Sequence, residues 1–153
     1  MEARLEYAQH YEPVTECGFI TNDKWGFTIG YSPDALVCAK GLFEAKSRGQ
    51  KHQIRTLCDY VSADTIDPDY MIQCQTGLLV ADDREWIDLS SYSGGLPMAT
   101  VRVYPDAKIQ AAILAAATEF ESRLNAASEK YTAVLASKAR LIETKRRERG
   151  DII

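Results

Sequence analysis

The spacing of apolar residues changes along this chain, and that change limits what it can fold into. Between residues 13 and 46 they come in short runs divided by turn formers: Cys17–Thr21, a turn at Asn22-Asp23-Lys24, Trp25–Ile29, Asp34–Cys38, a turn at Ala39-Lys40-Gly41, then Leu42–Lys46. Runs of that length predict a β-meander. From Asp106, a good N-cap, the pattern switches to steps of mostly three and four through Ile109, Ile113, Ala116, Phe120, Leu124, Ala127, Tyr131, Val134 and on to Ile142. This predicts one long helix running toward Arg149, with Gly150 as its stop and one stripe packed on its own sheet or on another subunit. Arg4 to Glu12 is expected as a short helix stopped by Pro13, and Asp67-Pro68 as the start of a helix to Val80 that buries Met71, Leu78 and Leu79. Gln50 to Tyr60 is compatible with a helix or an ordered loop. Trp86–Ser91 and Thr100–Tyr104 read as strands, separated by the turn-rich Ser93–Pro97. The sum is a mixed α/β sandwich.

With 153 residues and 46% hydrophobic content, the chain suits one compact domain with a helical C-terminal extension. No run of 18 apolar residues occurs, so a membrane span is not expected, and Met1–Tyr7 has no apolar signal-peptide core. Cys17, Cys38, Cys58 and Cys74 are scattered with no C-x-x-C pair, which reads as reduced thiols in a cytosolic protein and against zinc. The net charge of −4 is uneven: residues 1–105 carry 9 basic and 15 acidic groups, residues 106–153 carry 9 and 7. An acidic body argues against a protein that coats nucleic acid over its whole surface. It allows one that works DNA through divalent cations and a local basic groove.

The chemistry is concentrated in Ser32-Pro33-Asp34 and, after nine intervening residues, Glu44-Ala45-Lys46. Strand side chains alternate faces, so Glu44 and Lys46 project together while Ala45 points away. If the strand holding Asp34 pairs alongside through the tight Ala39-Lys40-Gly41 turn, Asp34 sits beside Glu44. Two converging carboxylates repel unless a cation lies between them, and a hard divalent ion such as Mg²⁺ resolves this. An ammonium one pleat away is then placed to orient a water and stabilise charge at phosphorus. Taken alone, the pattern also fits a surface strand pair and a turn aspartate, since three common residues at loose spacing recur by accident.

The longer pattern resembles the YqaJ-type viral recombinase, or phage lambda exonuclease, family of the PD-(D/E)xK nuclease superfamily. Gly30–Leu36 and Gly41–Ser47 carry the resemblance, with Tyr70–Gln75 and the strand from Trp86 to Tyr92 following in order; Ala3-Arg4, Glu16–Ile20 and Arg102–Asp106 fit more loosely. Coverage is about residues 3 to 125.

The resemblance implies an α/β fold with a restriction-endonuclease-like core, a mixed β-sheet flanked by helices and a long C-terminal helix. It divides the chain into a nuclease-like domain, 1–125, and a helical extension with a basic end, 126–153. It implies an Mg²⁺-dependent exonuclease, with Mn²⁺ as substitute, that acts on double-stranded DNA ends and resects the 5′-ended strand. By the same resemblance the enzyme works in a bacterial host cytoplasm with a single-strand annealing protein, as a ring-shaped trimer. Asp34, Glu44 and the carbonyl of Ala45 would hold the metal, Lys46 would be the catalytic lysine, and Gln73 would contact the attacking water or nearby DNA; Ser32, Arg48 and Lys51 would contact DNA.

One departure stands out. The family pattern Gly-x-x-x-Glu-x-x-Ala-Arg is represented only by Ala3-Arg4, directly after Met1-Glu2. The chain is therefore expected to lack the family's N-terminal part and the basic residues there that hold a 5′ phosphate. This leaves two alternatives to the exonuclease: a catalytically incomplete DNA-binding or assembly subunit of the same fold, or an endonuclease of the same superfamily.

Other residues carry less. Arg48, Lys51, His52 and Arg55 either approach phosphates or form a solvated face. His10 and His52 are not expected as metal ligands, and Trp25 and Trp86 are expected in the core or at an edge. Glu16 reads as a surface strand residue, with help to the metal as its alternative. Lys145–Arg149 is either a DNA grip or a solvated helix end.

Overall fold

In the computed structural model, which describes residues 2–145, the tight reversal at Cys38–Lys40 joins two antiparallel strands, β4 (Ala35–Val37) and β5 (Gly41–Ser47). These lie inside a five-stranded sheet completed by β1 (Val14–Thr15), β6 (Trp86–Tyr92) and β7 (Ala99–Val103), in the order β1-β4-β5-β6-β7. Only β5 and β6 run parallel, with Glu44 beside Leu89 and Lys46 beside Ser91. Parallel neighbours need a long crossover. Here it holds α2 (Gln50–Arg55), a π-helical turn at Thr56–Tyr60, a 3-10 turn at Val61–Ala63, and α3 (Pro68–Val80). Two further strands, β2 (Ile20–Asn22) and β3 (Ile29–Tyr31), pair only with each other.

The alternation of β5 divides the core. Leu42 joins Ile87, Leu89, Val101 and Val103 against Cys74 and Leu78 of α3. Phe43 faces the other way with Ala35, Val37 and Tyr7, the last from α1 (Glu2–His10), and the Tyr7 and Phe43 ring centroids lie 4.5 Å apart. Burying each large apolar side chain contributes about 1.5–3 kcal/mol. Gly41 is required by close approach, because a Cβ there would meet the Trp86 ring at 2.2 Å. The sheet is thus mixed and flanked by helices on both faces, as the resemblance implies.

Several expectations need correction. Residues 13–46 are not one meander: β1 pairs with β4 (Val14 opposite Val37), and the β2–β3 hairpin stands apart, joining the α3-side core through Ile20, Ile29 and Tyr31. Short apolar runs fix strand existence better than partner choice. Most of Trp25–Ile29 and Cys17–Thr21 is loop. The first helix starts earlier, at Glu2, and ends at His10. Gln50–Tyr60 is helical, and Met71 is only half-buried.

The C-terminal helix, α4, spans Ala107–Leu135 and stops well before Arg149. Its start is as expected, with Asp106 Oδ1 accepting from the N–H groups of Lys108 and Ile109 at 2.8 and 3.1 Å. Its end is set by Ser137, whose hydroxyl donates to the Val134 carbonyl at 2.7 Å and accepts from the Ala139 N–H at 3.1 Å, competing with the helical ladder. The chain divides into two compact units, residues 1–115 and 116 onward. In the second, Phe120, Leu124, Tyr131 and Val134 are 48–65% exposed. Residues 146–149 of the basic tail lie outside the described residues.

Candidate active site

Three elements build the site. β5 projects Glu44 and Lys46 toward α3, while α3, started by Pro68 and the Asp67 side chain on the Asp69 N–H (3.1 Å), carries Tyr70, Gln73 and Gly77 along one side. The end of β3 supplies Tyr31.

Glu44 is the hub and is 5% exposed. Its Oε1 accepts from Lys46 Nζ and Gln73 Nε2, each at 2.7 Å, and its Oε2 accepts from the Tyr31 hydroxyl at 2.7 Å. Lys46 Nζ also donates to Gln73 Oε1 at 2.7 Å. A buried carboxylate with three donors is satisfied, and the lysine cancels its charge. Tyr70 continues the arrangement, with Lys46 Nζ 5.1 Å and the Arg48 guanidinium 4.7 Å from its ring centroid.

Two neutral groups are tuned by this hub. Burial, then the charge of Glu44, holds the Tyr31 hydroxyl far above the usual phenol range, with a smaller contribution from Asp34. Burial first, and Glu44 second, push the Cys74 thiol up to about 12. Both therefore stay protonated near neutrality.

Asp34 takes a different partner. Its own N–H donates to the Phe43 carbonyl at 3.1 Å, and its Oδ2 accepts from the Ala45 N–H at 2.7 Å. The carboxylate is thus held at the edge of β5 beyond the end of β4, rather than inside the Glu44 network. A residue's N–H and carbonyl project from the same strand edge, so the Ala45 carbonyl shares that edge with Asp34. An open cavity of about 470 Å³ adjoins it, lined by Arg4, Glu16, Cys17, Asp34, Ala45 and Ser47 among others. Glu16, expected on a surface strand, is exposed but lies in the loop after β1, paired with Arg4 at 2.5 Å.

The other predicted residues lie further out. Ser32 and Lys51 are exposed, and so is Arg48. Arg55 pairs with Asp59 at 3.5 Å, and His10 approaches Glu6 at 3.6 Å. Trp86 is half-buried beneath the Arg102 guanidinium, 3.5 Å from the ring centroid. Sequence reasoning missed Tyr31 and Tyr70 as members of the site. Tyr70 had a signal, lying three residues before Gln73 on one helix face; Tyr31 lay within the Gly30–Leu36 stretch of the resemblance, but no spacing aimed it at Glu44, because its reach depends on the separate hairpin.

These features define a nuclease-type fold with an acidic and lysine-bearing centre, and the chain belongs to the YqaJ-like viral recombinase domain family, whose model matches residues 2–84. Among solved structures it is similar to an alkaline exonuclease, LHK-Exo, from Laribacter hongkongensis: 29% identical, TM-score 0.70, covering 87% of this chain and 70% of that one. A structure of LHK-Exo in complex with dAMP matches equally well. No curated protein matches the chain by sequence. No described helix is long and apolar enough to cross a membrane.

Proposed function

We propose that this chain is a metal-dependent deoxyribonuclease, an exonuclease that resects the 5′-ended strand of linear duplex DNA for recombination by single-strand annealing. The observation that carries the reading is the Glu44–Lys46–Gln73 cluster, closed by 2.7 Å hydrogen bonds beside the Asp34–Ala45 edge. Family membership and the likeness to an alkaline exonuclease support DNA as substrate. The dAMP complex of that relative suits a reaction releasing mononucleotides.

A hard divalent cation fits the donors present. Asp34, Glu44 and the Ala45 carbonyl offer oxygen only, from neighbouring positions of one hairpin. Among the described residues no three His, Cys, Asp or Glu side chains form a cage. The oxygen-only donor set suits Mg²⁺, or Mn²⁺ as substitute, which needs one or two carboxylates and keeps several waters. When bound, the ion supplies charge neutralisation at the scissile phosphate and a more acidic water.

The chain's own residues do the rest. Asp34 and Glu44 hold the ion with the Ala45 carbonyl. Lys46, bonded to Gln73, meets negative charge developing at phosphorus, and the Gln73 amide orients the attacking water or the DNA beside it. Ser32, Arg48 and Lys51 contact the DNA backbone, Arg48 with its plane steadied on Tyr70.

The test uses end-labelled linear duplex DNA and Mg²⁺. The wild type is expected to shorten the 5′-ended strand, EDTA to stop it, and Lys46→Ala to slow it at least about 10²-fold. Inactivity with every divalent metal counts against the reading. Binding without turnover leaves a DNA-binding subunit, and cleavage of closed circles makes the protein an endonuclease.

The proposal extends to the cytoplasm of a bacterial host, an annealing-protein partner and a homo-oligomer, a trimer by resemblance. The exposed apolar stripe of α4 supports self-association.

A further inference from the structure

β3 ends at Tyr31, outside the five-stranded sheet, yet its hydroxyl reaches Oε2 of Glu44 at 2.7 Å. The other carboxylate oxygen, Oε1, receives Lys46 and Gln73. The three donors are not equivalent. Lys46 and Gln73 are half-buried and bond each other at 2.7 Å, so each keeps a partner on leaving Glu44. Tyr31 is 6% exposed, and its ring lies over Gly77, where an added Cβ would come within 2.7 Å of it. Gly77 therefore clears the space in which the ring is clamped. The hydroxyl at its tip is fixed on Glu44.

We propose that Tyr31 is a positioning residue of the metal site, pinning Oε2 of Glu44 so that Oε1 is the oxygen that exchanges Lys46 and Gln73 for a divalent cation. This rests on the metal-dependent reading above and adds to it a residue outside the Asp, Glu and Lys pattern. The physical reason is pre-organisation. A carboxylate already held in one plane loses less freedom on binding an ion, and the hydrogen-bond partners of metal ligands are typically worth 10–100-fold in affinity.

The experiment measures Mn²⁺ binding to the full chain without DNA, by the electron paramagnetic resonance of free Mn²⁺, beside the Mg²⁺ dependence of DNA cleavage. Tyr31→Phe keeps the ring over Gly77 and removes only the hydroxyl. It is expected to weaken Mn²⁺ binding about 10–100-fold and to raise half-saturating Mg²⁺ by the same factor, with little change in rate at saturating metal. Tyr104→Phe, at an exposed tyrosine outside the site, is expected to match the wild type. Gly77→Ala keeps the hydroxyl but displaces the ring, and is expected to weaken Mn²⁺ too, which decides the matter if Tyr31→Phe does not fold. A purely structural role would lower the melting temperature and leave half-saturating metal where it was. Unchanged Mn²⁺ affinity in Tyr31→Phe, with a wild type that binds metal and cuts DNA, overturns the inference alone. A wild type that neither binds Mn²⁺ nor cuts DNA overturns both the inference and the proposed function.

Discussion

Cys74 sits one residue after Gln73, buried behind the Glu44 carboxylate, and its thiol gives up a proton only near 12 against an ordinary 9.0. Thiolate is the reactive form. At pH 8 a maleimide is therefore expected to label the exposed Cys38 and Cys58 quickly, and to reach Cys74 only as fast as the protein unfolds. Mass spectrometry of timed digests reads this. The same protection sets a pH trend. Cys74, Tyr7 and Tyr31 keep protons when folded that an unfolded chain releases above about 9 to 10. Their raised values therefore contribute stability that is full below pH 9 and falls as pH rises further. Urea unfolding at pH 8, 9.5 and 11 is expected to show a flat region and then a decline, shallower in Tyr31→Phe. At this scale the sequence was most legible where spacing alone acts. Glu44 and Lys46 share a face because they are two apart on a strand, and Gln73 meets them from the helix. Asp34 was harder: an extended ladder would put it beside Glu44, but its backbone bonds to Phe43 and its carboxylate turns to Ala45.

Among the elements, α1 is tied down by a buried network that no sequence motif announces. The Tyr7 hydroxyl donates to Asp88 Oδ2 at 2.6 Å, and Arg102 grips both oxygens of Asp88 at 2.8 Å. Asp88 is 3% exposed and Tyr7 wholly buried. Tyr7→Phe leaves Asp88 one donor short and is expected to cost about 1–3 kcal/mol by urea unfolding. Asp88→Ala leaves the buried Tyr7 hydroxyl without its acceptor while Arg102, 42% exposed, turns to water, and is expected to cost a similar amount, about 1–3 kcal/mol. Local chemistry made α3 and the start of α4 readable, through Asp67-Pro68 and Asp106. It failed for the strands between residues 13 and 31, where partner choice depends on contacts with α3 that no short window contains. It failed again at the end of α4, where the three-and-four pattern runs past Ser137 but the serine side chain offers the backbone other bonds.

Across the whole molecule, Phe120, Leu124, Tyr131 and Val134 form an apolar stripe left open on α4. A self-associated protein is expected to lose mass by light scattering when Leu124 and Tyr131 are both changed to Glu, while the single-chain fold, judged by circular dichroism, persists. The lopsided charge, acidic up to residue 105 and basic beyond, was visible from composition; the resemblance sets a boundary after residue 125, and the compact units meet near residue 115, within α4. The parallel pairing of β5 with β6 has a consequence for how the protein is made. Every residue of the candidate cluster lies at or before position 73, and the family match ends at 84. The neighbour that completes hydrogen bonding along the Glu44 strand spans 86–92. A nascent chain that has emerged only up to that strand would carry the whole cluster with a raw sheet edge, open to pairing with another molecule. The last strand to arrive at that edge separates a chain that carries the motif from one whose sheet is closed around it.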